Sequence, residues 1–435
     1  MKSGGIPRFG VRWRLMLFLI FPLTFVMSLD RTNIAVSAPI ITKEYGFSLV
    51  EMSFILTAFS WTYALLQVPG GLMAERWGSR VTLALADIWW SLLTIATTLG
   101  WSIASFVGIR GALGIGQAAD WPASVRAISR WFPASERARG SSILLGGLYL
   151  GPIIGTPLTV ALVSAMGWKA SFYIYGVVGL VLGLCWYWYF RDKPREHPSI
   201  TEAEAAHIEQ GLEAVAAPSR EGAGGSDWRV FLSNYRFWAY GMQYFCLILI
   251  QSFYNTWLPT YLMADRKFSL ASMGIGASLP WVAMFVMVFV AGQWQDAVLA
   301  RTGSKVWARV PFAVAGFVLA ASFLIMAART ADPTLMIIML MVSLGSVALV
   351  QVSIWPTAVD LGGARAGSVS AWTNTWGNLS AAAGPIFTAF LVSISSWETA
   401  LVIVSLAALV GAFLWLAINP SKPLVGEPEA ALKSI

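Results

Sequence analysis

Gly70-Gly71-Leu72-Met73-Ala74-Glu75-Arg76-Trp77-Gly78-Ser79-Arg80 is a short polar turn between two long apolar runs, and its reading decides the fold. The runs on either side, 50–74 and 81–99, are both long enough to cross a bilayer, which takes about 20 mostly apolar residues. A glycine at such a turn lets two helix ends approach closely, and an acid with two bases can bridge to a neighbouring helix. The segment therefore reads as a tight connection between two membrane-crossing helices.

Ten further runs of the same kind occur, giving candidate spans at 14–40, 50–74, 81–99, 105–131, 138–164, 168–190, 235–262, 272–297, 306–328, 333–359, 366–393 and 397–418. None alternates polar with apolar residues, and all exceed strand length, so a closed β-barrel is excluded. Composition agrees: 57% of the 435 residues are hydrophobic and 12% are charged, about half the charge of an ordinary soluble domain. The 22 tryptophans suit membrane interfaces and ligand pockets. Residues 15–29 follow Arg8, Arg12 and Arg14 like a signal peptide, but the run passes Asp30-Arg31 without a small-residue cleavage site, so it reads as the first span.

The only long polar segment, 191–233, separates six spans from six. The expected organisation is an all-α membrane protein with a six-helix bundle at 1–190, a cytoplasmic linker at 191–233, and a second bundle with a tail at 234–435. In the linker, Thr201-Glu202-Ala203-Glu204 reads as a capping box opening a surface helix through about Glu213, and Gly222 to Gly225 as a flexible link.

The net charge of +7 invites a nucleic-acid reading, but topology accounts for it. With both termini cytoplasmic, only Lys43, Lys169, Arg266, Lys267 and Arg329 of the 29 Lys and Arg fall outside, while Arg31 and Arg110 lie within the membrane. The positive-inside rule is satisfied and no nucleic-acid surface is needed. Cys185 and Cys246 lie far apart in apolar runs, and His197 and His207 both fall in the linker, so neither a metal site nor a disulfide is implied. No metal-ligand spacing, nucleophile elbow or phosphate loop is present, and an enzyme is not expected.

The turn at 70–80 has a degenerate echo, Gly292-Gln293-Trp294-Gln295-Asp296, after the eighth span. It supports an internal repeat of six helices. The turn resembles the loop signature of the major facilitator superfamily, with Glu75 where the acid is usually Asp. Further motifs sharpen the match: Asp30-Arg31-Thr32-Asn33, Tyr63 with Gln67-Val68-Pro69-Gly70-Gly71, Arg110, Arg130-Trp131-Phe132-Pro133 with Glu136-Arg137, and Trp257-Leu258-Pro259-Thr260-Tyr261. Together they resemble the anion–cation symporter family, which includes bacterial galactonate, glucarate and hexuronate transporters and animal sialin-type carriers. The resemblance runs nearly end to end. It implies a major facilitator fold of twelve helices in two pseudo-symmetric bundles, a monomer in a bacterial inner membrane, and a small organic anion as substrate. A proton is the implied coupling ion, and no other cofactor is implied. Glu75, Arg76, Arg80 and Asp296 take conformational, gating positions in this pattern.

Physics singles out the charges inside the spans, because each is costly in a bilayer. Arg31 and Arg110 offer planar forks that match a carboxylate bidentately, and the resemblance assigns both to the substrate cavity; the alternative is a structural pair with a membrane aspartate. Asp30 is the first candidate proton carrier. Burial and a neighbouring arginine pull its proton affinity in opposite directions, so an anion arriving at Arg31 can change it. Galactonate-type members carry a glutamate seven residues after the span-four arginine; this chain has Gln117, about 20° round the helix from Arg110. An amide can bind hydroxyls but carries no proton. Either the titrating carboxyl has moved one turn to Asp120, or coupling rests on Asp30 alone or is lost. Asp87 has no counterpart in the pattern and reads as a third titratable group or a structural partner.

Tyr63 belongs with Gln117 as an orienting group. Gly147, Gly151 and Gly155 form a ridge for close helix contact, and Leu148 replaces a polar family glutamine. In the second half, Asn255, Trp355, Trp372 and Asn374 are candidate substrate contacts. Asn374 stands eleven residues before Pro385, where the family has a ligand-binding asparagine. Trp355 and Trp372 are expected mid-span, as pocket wall or packing. The expected activity is proton-coupled uptake of a sugar acid or an aromatic or short-chain carboxylate; a proton-independent facilitator, exchanger or exporter is the alternative.

Overall fold

The computed structural model describes residues 9–213 and 231–424. Gly222 to Gly225 and the last residues of the tail lie outside them. Among the described residues the chain is all helix, without strands. Nine helices there are long and apolar enough to cross a membrane. Three further spans are hidden by local irregularity, each with an identifiable cause, and the twelve expected crossings are present.

The first is masked by continuity: Leu49–Ala96 forms one helical run, broken at Gly78 (φ 80°, ψ 166°) into α2 (49–77) and α3 (79–96). A positive φ there suits glycine alone among common residues. The second is masked by a break, since the fourth span consists of α4 (Ile103–Gln117) and α5 (Asp120–Trp131). Gly70 of α2 approaches the backbone of Ala118 and Ala119 so closely that a Cβ would lie 2.7 Å from the Ala119 Cα. The third is masked by π-turns at Phe253–Trp257 and Tyr261–Asp265, which interrupt α9 (235–265). Pro259 has no N–H for the carbonyl four residues back, at Asn255, and widened turns accommodate that loss.

The other helices are α1 (Val11–Tyr45), α6 (Ala134–Met166), α7 (Trp168–Tyr189), α8 (Glu202–Glu213), α10 (Leu270–Thr302), α11 (Lys305–Arg329), α12 (Pro333–Gly362), α13 (Ala366–Ile394) and α14 (Trp397–Leu416). Polar side chains cap the starts of several helices, among them α2, α4, α9, α11, α12 and α14. At the start of α2, Ser48 Oγ accepts from the Glu51 N–H at 3.2 Å and the Glu51 carboxylate accepts from the Ser48 N–H at 2.7 Å. Such reciprocal caps satisfy donors that the first turn leaves free.

Contacts divide the molecule into two units: one of residues 9–213 with Leu262–Ser278, the other of 231–261 and 279–424. In the first, α1 packs on α6, α2 on α4, and α3 on α7. The glycine ridge of α6 lies against α1: Gly147 faces the Phe21 carbonyl, Gly151 faces Ser28 and Gly155 faces Leu29. Ser28 Oγ donates to the Leu148 carbonyl at 2.8 Å and fixes the register two residues before Asp30. In the second unit, α11 packs on α12 and α14, and α9 on α13 and α14. There the Trp257 indole N–H donates to the Pro385 carbonyl at 3.0 Å.

The surface helix α8 spans the expected residues, but its capping box is only half made. The Glu204 N–H donates to Thr201 Oγ at 3.3 Å. The Glu204 carboxylate instead accepts from the backbone N–H groups of Val11 and Arg12 and from the Arg12 guanidinium. Buried Arg12 also pairs with Glu136 at 2.8 Å, so one arginine ties the start of α1 to α6 and α8.

Candidate functional site

Close packing of α2 against α4 brings the site together. Thr62 Oγ donates to the Gly111 carbonyl at 2.7 Å, and a Cβ at Gly114 would run into the Phe59 carbonyl. These contacts set Phe59 of α2 beside Arg110 of α4. The Phe59 ring then lies near two guanidiniums, with Arg31 Cζ 4.8 Å and Arg110 Cζ 5.7 Å from its centroid. Arg31 is also 5.3 Å from the Tyr63 ring, which stacks on Phe59 at 5.4 Å. Guanidiniums over aromatic faces gain up to about 2 kcal/mol when desolvated, so the rings hold the cations without consuming their hydrogen-bond donors.

Arg31 Nη2 donates to Gln117 Oε1 at 3.3 Å. Among the described residues, no carboxylate comes within 4 Å of either guanidinium. The structural alternative, a close ion pair between each arginine and a membrane aspartate, is not what the structure contains. Arg31 Nε, Arg110 Nε and Gln117 Nε2 are buried donors without a protein acceptor among the described residues. Asp30, Arg110, Gln117 and Asp120 are each 4% exposed or less.

The carboxyls stand further out. Asp30 Oδ2 accepts from Thr94 Oγ at 3.2 Å, and Asp30 feels the charges of Arg110 and Arg31. Asp120 opens α5, is bonded by Ser124 and feels Arg31. The break at Ala118 and Ala119 means that helical pitch cannot be carried from Gln117 to Asp120. Electrostatics nevertheless tie Asp120 to Arg31 and Tyr63. Asp87 accepts from the Trp90 indole N–H at 2.8 Å through Oδ1, while Oδ2 is buried without a partner among the described residues.

The structure thus gathers Arg31, Tyr63, Arg110, Gln117, Asp30 and Asp120 within the first unit. It adds Phe59, which the sequence reading passed over. The signal was its position four residues before Tyr63, on the same helix face.

The second-unit candidates are more scattered. Asn255 lies exposed in a π-turn of α9, Asn374 is half-buried on α13, and Trp355 is exposed on α12 with its ring edge-on to Tyr244 at 5.8 Å. The mid-span expectation for Trp372 fails. It lies in the second turn of α13, stacks on Phe237 at 4.7 Å and donates its N–H to the Phe237 carbonyl at 3.0 Å. Its place is in the packing of α13 on α9. Trp355 likewise sits in the last third of α12 rather than at its middle.

The turn at 78–80 is held by a residue the sequence did not flag. Asp192 Oδ1 accepts from the Ser79 N–H at 2.6 Å and from the Arg80 N–H at 3.3 Å. Arg80 Nε donates to the Tyr187 carbonyl at 2.8 Å, with its guanidinium 4.6 Å from the Tyr187 ring. Glu75, Arg76 and Asp296 are exposed. Beside Asp296, buried Gln295 donates to the Leu349 carbonyl at 3.0 Å and to Ser353 Oγ at 2.9 Å.

A family model described as the Major Facilitator Superfamily matches residues 20–385. The D-galactonate transporter of Escherichia coli O6:H1 is 28% identical, with 96% of this chain and 98% of that protein covered. The probable sulfoacetate transporter of Cupriavidus necator is 29% identical, with 91% of each covered. The chloroplastic ascorbate transporter of Arabidopsis thaliana is 28% identical over 94% of this chain and 75% of its own length. Among solved structures, an inward-facing, unoccupied bacterial homologue of the human lysosomal transporter Spinster superposes with a TM-score of 0.78 at 18% identity, covering 94% of this chain and 96% of that one. The chain belongs to the Major Facilitator Superfamily, as an integral membrane transporter rather than an enzyme, and these relatives agree with the anion–cation symporter resemblance.

Proposed function

We propose that this superfamily member takes up a small organic carboxylate, a sugar acid or an aromatic or short-chain acid, by proton symport with alternating access. One observation carries the reading: Arg31 and Arg110 flank Phe59 with no carboxylate of the described residues within 4 Å of either. Two cations held by ring faces keep their in-plane donors for a carboxylate, which a bidentate fork matches. Tyr63 and Gln117 orient the rest of the substrate. Asp30 carries the proton. An anion bound at the arginines changes the field Asp30 feels, and so couples substrate to proton. Asp120 has the same relation to Arg31. In this reading the protein works as a monomer in a bacterial inner membrane with both termini cytoplasmic.

A thermal-shift screen of organic acids on the purified protein identifies the ligand. Arg110→Ala and Arg31→Ala should both abolish the shift, and full stabilisation in both variants would refute the carboxylate clamp. Proteoliposome uptake of that acid, with and without an acid-outside pH gradient, tests coupling. Accumulation should require the gradient; equal uptake in both would make the protein a proton-independent facilitator.

A further inference from the structure

His197 is an ionisable side chain of the linker that packs like an aromatic one. The chain leaves α7 at Phe190, makes a short turn at Pro194–Glu196 and delivers His197, which is 2% exposed. Its ring meets Trp131, the last residue of α5, at 5.8 Å and 87°, and Tyr189 of α7 at 4.6 Å and 74°. The Ser199 N–H donates to His197 Nδ1 at 3.2 Å. A backbone N–H only donates, so Nδ1 offers a lone pair and the neutral ring carries its hydrogen on Nε2. Nε2 is buried without a hydrogen-bond partner among the described residues.

An imidazolium needs a proton on Nδ1, the atom that now accepts from Ser199. Gaining it would break that bond and leave a buried cation without a hydrogen-bonded acceptor. Burial pushes the His197 pKa below the ordinary histidine value, and the charges of Arg191 and of Arg14 in α1 push the same way. Glu204 of α8 and the Tyr189 carbonyl oppose them and are outweighed, while Trp131 brings no charge from α5. The same loop holds the turn at 78–80. The Trp131 indole N–H donates to the Arg191 carbonyl at 2.9 Å, and the next residue, Asp192, accepts from the Ser79 and Arg80 N–H groups. His197 therefore packs on the side chain that anchors the loop beside the capping residue.

We propose that His197 is a pH-sensitive pin: neutral, it seats the loop at 190–200 and keeps Asp192 on the turn at 78–80; protonated, it leaves the Trp131–Tyr189 pocket and frees both. The sign follows from linkage. A base whose folded-state pKa is lowered contributes stability above its unfolded value of about 6.5, and that stability is lost as pH falls below that value toward the folded one. Acidification of the compartment that bathes the linker thus loosens the turn. α8 is clamped separately, through Glu204 on Arg12 and Arg12 on Glu136, and stays docked. Where protons enter with substrate, the pin makes transport sensitive to the proton load on the receiving side. That last step rests on the proton-uptake reading above; the pin itself does not.

The test is hydrogen–deuterium exchange of the purified full chain in lipid nanodiscs, read by mass spectrometry at about pH 7.5 and about pH 5.5 and corrected for the intrinsic pH dependence of exchange. In wild type, protection of the amides at 190–200 and 78–80 should fall by up to about tenfold between the two, the ratio for a group of unfolded pKa about 6.5 that stays neutral when folded. α8 should keep its protection. His197→Phe keeps an aromatic ring that cannot titrate, and His197→Asn keeps an acceptor for the Ser199 N–H in Oδ1; both should show no fall. Wild-type protection unchanged between the two pH values, or an equal fall in both variants, would overturn the proposal. A fall at 190–200 without one at 78–80 would overturn the link to the turn. Transport without gradient dependence would end the symport reading and leave the exchange result standing, so the two failures are distinguishable.

Discussion

Replacing Phe59 with leucine tests whether ring faces pre-organise the anion site. Leucine keeps most of the apolar volume, and swaps of this kind in a core usually cost less than about 1.5 kcal/mol. The variant should therefore fold, with a thermal midpoint near wild type in the absence of ligand. What it loses is the π-face that Arg31 and Arg110 share at 4.8 and 5.7 Å. A desolvated cation–π contact is worth up to about 2 kcal/mol. Arg31 keeps Tyr63 at 5.3 Å and Gln117 at 3.3 Å, so it is only partly released. Arg110 Nε has no acceptor among the described residues, so Arg110 is the cation set free to wander. If about 1.4 kcal/mol of orientation is lost, affinity for the acid found in the thermal-shift screen falls about tenfold. Calorimetric titration of wild type, Phe59→Leu and Phe59→Tyr measures this, and tyrosine should bind within a few-fold of wild type. A Phe59→Leu protein that binds as tightly as wild type would refute the argument, because the ring would then be packing and nothing more.

Three other perturbations follow from the same geometry. Gln117→Glu places a charge 3.3 Å from Arg31 Nη2 and occupies that guanidinium; a charge-assisted pair of about 1.5–3 kcal/mol should weaken anion binding at least tenfold, seen in the same titration. Asp192→Ala removes the acceptor of the Ser79 and Arg80 N–H groups, and should lower the thermal midpoint by the equivalent of about 1–3 kcal/mol while leaving anion affinity within twofold. At Glu136, burial pushes the carboxyl up, but the Arg12 hydrogen bond and charge, with His207, outweigh it and hold the group below the ordinary glutamate range. A depressed folded-state value contributes stability above the unfolded value of about 4.3 and loses it as pH falls through the lower folded one. Protease sensitivity around α8 should therefore rise on acidification below about pH 4 in wild type, and Glu136→Gln should be sensitive already at neutral pH.

Periodicity and length were enough to find twelve spans, because a bilayer imposes both on every crossing helix. The same constraint hides what lies within a span. A run such as 105–131 looks continuous in sequence, yet its helix is interrupted at Ala118 and Ala119, where Gly70 lets α2 lie against the backbone. Any argument from helical angle past that point, including the one placing Asp120 relative to Gln117, is then unsupported by pitch. Their relation has to come from their surroundings: Gln117 is bonded to Arg31, while Asp120 only feels its charge. Trp372 shows the same limit from another side: nothing in its neighbours announces that Phe237, far away in the chain, takes both its ring and its N–H. Glu204 was legible as a cap but not as the buried partner of Arg12, because that role depends on where α8 docks. Charged residues in apolar runs were legible as functional candidates, since a membrane charges heavily for each. Which of them is a cation awaiting an anion and which an acid holding a proton was not, because that turns on distance. Arg31 and Arg110 could have been the partners of Asp30 and Asp120. The absence, among the described residues, of any carboxylate within 4 Å separates the two possibilities and leaves their donors for a ligand.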